Sequence, residues 1–285
     1  MRPRSAVLGL VGVLALSCGG FQSSSPPDSS PPAEALAAWT DFPADRSPRP
    51  IILLEDITPG LGFSGGNGKL AFMCGRFAAA TPLPSTTPAQ AHVTWGDRSD
   101  QTFTAISASD AYVAMAANAR GKSPDCATVP PLAITQTRLA AETYETDRGQ
   151  AQITSWLFTA PGAWREIAYP ALAPSALWKG GWSDWSGESA SISADGLSLT
   201  FGFTGAKAGN GPCEANYRGL VMESATAVAV APQQLPNPNQ PAGGACTAEG
   251  YPRHVTVSLN RPLEGRVVVD RRAAVLAVCR EGITC

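Results

Sequence analysis

"SISADGLSLTFGF", residues 191–203, is the stretch that settles the fold class. Asp195-Gly196 is a strong signal for a two-residue hairpin turn. After it, Leu197, Leu199, Phe201 and Phe203 recur at every second position. That is the period of a strand with one face buried and the other wet. Both arms of a hairpin are therefore written within thirteen residues.

Reading outward, the same texture continues. "YRGLVMESATAVAVAP" (217–232), "HVTVSL" (254–259) and "RVVVD" (266–270) read as further strands, the last two joined by the turn "NRPLEG". "APQQLPNPNQPAGGA" (231–245) is a long polar loop. Towards the N-terminus, "PLAITQTRLAAETYETDRGQAQITSWLFTA" (131–160) divides into two runs about the turn Thr146–Gly149. In the second run both faces are apolar enough to be covered. Ile51–Leu54, "KLAFMCGRF" (69–77) and "AHVTWGD" (91–97) also read as strands. One stretch argues for a helix: in "SASDAYVAMAANARG" (107–121) Ser107 can cap the start, Asp110 follows three residues later, and Gly121 suits the end. The expected fold is mainly β, with antiparallel sheets in a sandwich-like arrangement and one or two short helices.

The N-terminus is of another kind. "MRPRSAVLGLVGVLALSC" (1–18) places Arg2 and Arg4 before an apolar run of about eleven residues, short of the roughly 20 that a spanning helix needs. This is the pattern of an export signal, and "LALSC" (14–18) looks like a bacterial lipobox. That pattern implies a signal over 1–17, cleavage before Cys18 and diacylglycerol, with palmitate, on its thiol. Residues 18–33 then form a tether of serine, proline and glycine that holds too little apolar surface to order itself. Two folding halves are expected beyond it, 34–175 with the helix and 176–285 of antiparallel β structure.

The chain's formal charge is −2, and without Arg2 and Arg4 it is −4. The charges are scattered, so no basic face is offered to nucleic acid. Cys74, Cys126, Cys213, Cys246, Cys279 and Cys285 remain after Cys18. An even count in an exported chain predicts three bridges, preferentially 74–126, 213–246 and 279–285. No C-x-x-C occurs and His92 and His254 are far apart, so no metal or other cofactor is expected.

"PGLGFSGGNGK" (59–69) imitates a dinucleotide fingerprint, a nucleophile elbow around Ser64 and the end of a phosphate loop. The first two need a helix directly after the glycines, and the phosphate loop needs a glycine where Phe63 stands and a Ser or Thr where Leu70 stands. Read as a connection between strands, the stretch has no nucleotide role and no catalytic serine. Asp97 with Asp100, and Asp184 with Glu188, are the acidic pairs close enough in sequence to suggest hydrolysis. Acids so placed in turns are more often hydrogen-bond acceptors. A binding feature does stand out: Trp178, Trp182 and Trp185 sit among glycines in "LWKGGWSDWSGE" (177–188). They fit either a platform for glycan or protein, or a plug between the two halves.

"FPADRSPRPIILL" (42–54), "GFSGGNGKLAF" (62–72), "ETDRGQAQITSWLF" (145–158), "GPCEANYRGLVMESATAVAV" (211–230) and "GYPRHVTVSLNRPLEGRVVVD" (250–270) resemble stretches of uncharacterised lipoproteins and secreted proteins of high-G+C Gram-positive bacteria. The resemblance covers most of the chain beyond the tether. It implies an extracytoplasmic, β-rich protein and carries over no catalytic residue. The expectation is a lipid-anchored envelope protein on the outer side of the cell membrane. It would act as a non-enzymatic binding or structural module, its partners the membrane and a wall glycan or envelope protein. The alternative is a secreted hydrolase of cell-wall material.

Overall fold

A computed structural model describes residues 32–54, 61–118, 124–178, 188–240, 246 and 249–283. The protein is mainly β, in several sheets most of whose pairings are antiparallel. Three α-helices occur among the described residues: α1 (Ala33–Ala37), α2 (Gly66–Met73) and α3 (Ala108–Asn118).

The first half is organised by a long hairpin, β5 (Gln136–Thr146) and β6 (Gly149–Thr159). On its other edge β6 pairs first with β2 (Ala91–Trp95) and then with β7 (Ile167–Pro170), while β3 (Asp100–Phe103) lies outside β2. From Ser155 to Phe158 β6 is buried on both faces, while Gln150 and Gln152 nearer the turn are exposed. Ile153 and Leu157 enter one core with Val93, Trp95 and Tyr144; Trp156 and Phe158 enter a second with Ala111 and Met115 of α3. α3 starts as its sequence requires: Ser107 Oγ accepts from Asp110 N (3.1 Å) and donates to its carboxylate (2.6 Å). Ser107→Ala should therefore lower stability by about 1 kcal/mol, as loss of an N-cap usually does. A denaturant midpoint indistinguishable from wild type would remove the cap from the account.

The second half is a sandwich. One sheet runs β12 (Tyr251–Ser258), β9 (Ser198–Gly205), β8 (Ser189–Ile192), β14 (Ala277–Arg280); the other runs β10 (Tyr217–Glu223), β11 (Ala227–Gln234), β13 (Val267–Val269). Leu199, Phe201, Val255 and Val257 of the first meet Val228, Val230 and Val268 of the second in one core. The other face of the smaller sheet is not wet. Ala227, Ala229, Val267 and Val269 pack under Ala35, Trp39, Phe42 and Ile52. Residues 33–44 thus strap the far half of the chain, and the packing crosses the division near residue 175.

Several local expectations are corrected. Residues 66–73 are helical, not extended, so the strand expected at 69–77 shrinks to β1 (Phe77–Ala79), parallel to β4 (Leu132–Ile134). Ile51 and Leu53 make isolated bridges to Leu177 and Thr146 in place of a strand. The turn after β8 is longer than two residues: Asp195 Oδ1 accepts from Leu197 N, and Gly196 takes φ +74° with Pro262 against it. Leu197 consequently lies outside the strand and is exposed. The C-terminal half is not wholly antiparallel, since β8 pairs β14 and β11 pairs β13 in parallel. β12 and β13 are not a hairpin, because "NRPLEG" crosses from one sheet to the other.

Candidate functional site

The tip of the β5–β6 hairpin is where the halves meet. Neither Asp147 nor Arg148 takes a positive φ, and Gly149 does (+80°), so the turn is closed by a left-handed glycine. A Cβ on Gly149 would stand 2.5 Å from Cys279 Sγ of the second half, so glycine is required there twice over. Hairpin tips are normally wet. This one is buried, because β14 docks on it through Val278 N to Asp147 O (3.1 Å).

Burial forces the polar groups of the tip to find partners. Thr146, fully buried, receives Trp95 Nε1 (3.3 Å) and Arg148 N (3.1 Å) and donates to Gly149 O (2.6 Å). Asp147 Oδ1 accepts from Ile52 N (3.0 Å), and Oδ2 lies 2.6 Å from Arg49 Nη1. The side chains of this pair are 8% and 1% exposed. The approach is ionic, without the alignment of a hydrogen bond. Arg49 also donates Nε to Gly265 O (2.5 Å) and lies over the Phe42 ring. Arg148 stacks on the Trp95 ring, 3.9 Å from its centroid. Burial pulls its pKa down to about 10 against the opposing pull of Asp147, so the guanidinium stays charged at neutral pH.

Beside the tip opens a cleft of about 460 Å³, walled by Asp97, Gln101 and Arg148 from the first half and by Asp195, Glu264 and Arg280 from the second. Arg280 Nε spans the mouth to Asp97 Oδ2 at 3.3 Å. Asp97 is held below the usual carboxylate range, chiefly by the Ser99 hydroxyl, and Asp195 likewise by the Ser193 hydroxyl. A hydrolytic pair needs one carboxyl pushed up to act as an acid. Both of these carboxylates are pushed the other way.

The residues singled out from sequence are dispersed. Cys74–Cys126 and Cys213–Cys246 are bridged. Cys279 is also disulfide-bonded, while Cys18 and Cys285 lie outside the described residues. Trp178 is half-buried, edge-on to Phe42 at 5.4 Å, beside the strap core. Trp182, Trp185 and Asp184 lie outside the described residues. Glu188 is raised above its ordinary value, first by burial and then by Asp270. His92 and His254 stand on exposed strand faces.

The glycine stretch does lead into a helix, which overturns the absence of one as the reason for discounting it. Among the described residues what directly precedes α2 is the bridge of Phe63 to Ala163, and Ser64 Oγ donates to the Gly162 carbonyl (3.2 Å), not to a histidine. Gly65, the N-cap, supplies no side-chain bond. Sequence reasoning also passed over Trp164, which is 74% exposed and lies against Gly62. Its one signal was the Pro161-Gly162 turn just before it.

Among the described residues no group of three or more histidine, cysteine, aspartate or glutamate side chains is placed to hold a metal ion. None of the described helices is long and apolar enough to cross a membrane. Compared with known proteins, the chain matches no family model, no curated protein sequence and no solved structure.

Proposed function

We propose that this is a lipid-anchored, extracytoplasmic envelope protein that acts as a non-enzymatic binding module. The anchor reading rests on "LALSC" and the polar tether behind it, and the two bridges suit an oxidising compartment. The binding reading rests on one observation: the cleft between the halves is lined by ionised side chains, two of whose carboxylates are held in the charged form. Charges fixed in that way orient a ligand and transfer no proton. A wall glycan or an envelope protein is the class of partner proposed.

Two measurements test the reading. Cys18→Ala should move the protein from the membrane fraction to the soluble one, with loss of the acyl mass from its N-terminal peptide; a variant that still sediments with membranes would sink the anchor. Incubated with isolated wall material, the mature protein should co-sediment and leave the material intact. Release of soluble fragments would make it a hydrolase, and neither release nor sedimentation would remove wall glycan as the ligand.

A further inference from the structure

Arg148 differs from the other arginines packed into the interior. Arg266 spends Nε on Leu263 O, Nη1 on Glu223 and Nη2 on Arg261 O and Pro262 O. Arg253 serves Ala206 O and Ala215 O, and Arg49 serves Gly265 O and Asp147. Arg148 has one weak bond, from Nη1 to Gln101 Oε1 at 3.4 Å. Its Nε and Nη2 are shut off from solvent and have no hydrogen-bond partner among the described residues. Unpaired buried donors are costly, and on a charged group more so.

The chemistry of that edge is specific. Nε and Nη2 form the side of the guanidinium that presents two parallel N–H groups, the fork that receives both oxygens of a carboxylate or phosphate. This protein uses the same edge elsewhere: Arg138 gives Nε to Glu166 Oε1 (3.1 Å) and Nη2 to Glu166 Oε2. At Arg148 the fork is held in place by Trp95 beneath it and by the hairpin tip. The neighbouring carboxylates are otherwise engaged, Asp147 with Arg49 and Ile52 N, Asp97 with Ser99 and Arg280.

We infer that the cleft takes an oxyanion, a carboxylate or phosphate group, held side-on by the Nε/Nη2 edge of Arg148. Because Nε and Nη2 are shut off from solvent as the cleft stands, an oxyanion reaches them only when a neighbouring contact gives, and the partly exposed Asp97–Arg280 pair is the one that costs little to part. The acidic side chains Asp195 and Glu264 on the opposite wall disfavour a polyanion, so the group is a single one on an otherwise neutral or cationic ligand. The inference deepens the binding reading of the cleft. Its test reads Arg148 alone, so a negative result leaves the anchor and wall-binding experiments untouched.

The test uses the mature chain and phenylglyoxal, with each modified arginine mapped by mass spectrometry. Reactions run in chloride, acetate or inorganic phosphate at matched ionic strength. In chloride Arg148 should be modified slowly. An oxyanion at about ten times its Kd should slow it by roughly ten-fold further, since only the unoccupied fraction reacts, and leave exposed Arg218 and Arg272 unchanged. Protection by acetate alone assigns a carboxylate, and protection by phosphate alone assigns a phosphate group. Equal rates in all three salts would overturn the inference. So would an Arg148 that never reacts, because an edge closed to the reagent is closed to a ligand of similar size. Arg148→Met supplies the second reading. It should fold at least as stably as wild type, since it removes a buried cation with no ion-pair partner of its own, and should lose any rise in Tm that the oxyanion gives. A rise retained in Arg148→Met would place the anion elsewhere.

Discussion

Asp147→Ala is expected to lower the unfolding free energy by about 3–5 kcal/mol, the usual cost of breaking a buried ion pair by removing one partner. Three losses combine. Arg49 stays 8% exposed with its charge uncompensated, Ile52 N loses its acceptor, and the space of a carboxylate only 1% exposed is left empty. The pair itself is not a large source of stability, because two charges had to be taken out of water to form it. Hence Arg49→Met with Asp147→Leu should recover most of the loss, and the coupling in the double-mutant cycle should be large. Asp147→Asn, which keeps the oxygen facing Ile52 N, should fall between. Urea unfolding of wild type, these three variants and the single mutants Arg49→Met and Asp147→Leu that close the cycle measures them. A loss under about 1 kcal/mol for Asp147→Ala would mean that water reaches Arg49 and that the halves are not sealed at the hairpin tip.

That tip shows where the sequence was legible and where it was not. "TDRG" was readable as a turn because two strand-like runs flank it, and β5 and β6 fall where those runs do. Nothing local to it says that the turn is buried. Burial comes from Cys279 and Val278, some 130 residues further on, and no periodicity spans such a distance. The same division holds elsewhere. Ser107 and Asp110 cap α3 as written, because capping is a contact between near neighbours. "YRGLVMESATAVAVAP" reads as strand, but that residues 227–231 are buried on both faces was not legible, because the cover on the second face is an N-terminal segment that no pattern announces. α2 was missed for a different reason. Gly66 and Gly68 are poor helix residues, and Leu70 and Met73 are exposed while Ala71 is the buried member, so the helix carries almost no apolar stripe. Its C-terminal end is fastened by the Cys74–Cys126 bridge, a non-local constraint again. Of the candidate site, the acids Asp97 and Asp195 were visible as turn residues, but Arg148 becomes conspicuous only once its neighbours' bonds are counted.

The second large effect is expected at the strap. Trp39 is 3% exposed, 187 residues from Thr226, whose hydroxyl donates to its carbonyl (2.7 Å), and it gives its own indole N–H to Ala273 O (3.1 Å). Its ring meets Phe42 edge-on at 5.8 Å, and Phe42 in turn meets Trp178. Trp39→Ala removes the largest buried side chain of that core and leaves the half-buried Ala273 carbonyl unpaired, so a loss of about 3–5 kcal/mol is expected. Trp39→Phe should lose less, keeping most of the area but not the hydrogen bond. The location of the damage decides the matter better than its size. If residues 33–44 are part of the second half's core, Trp39→Ala should raise amide exchange in β11 and β13, whose outer faces it covers, before it does so in β5 and β6. Faster exchange confined to the first half would show that the strap belongs with its sequence neighbours. If the chain is held at its N-terminus as proposed above, the arrangement has a mechanical consequence. A pull on the tether would load the strap, and through Trp39 and Phe42 the smaller sheet of the sandwich, before it reached the hairpin tip where Arg49 and Asp147 hold the two halves together.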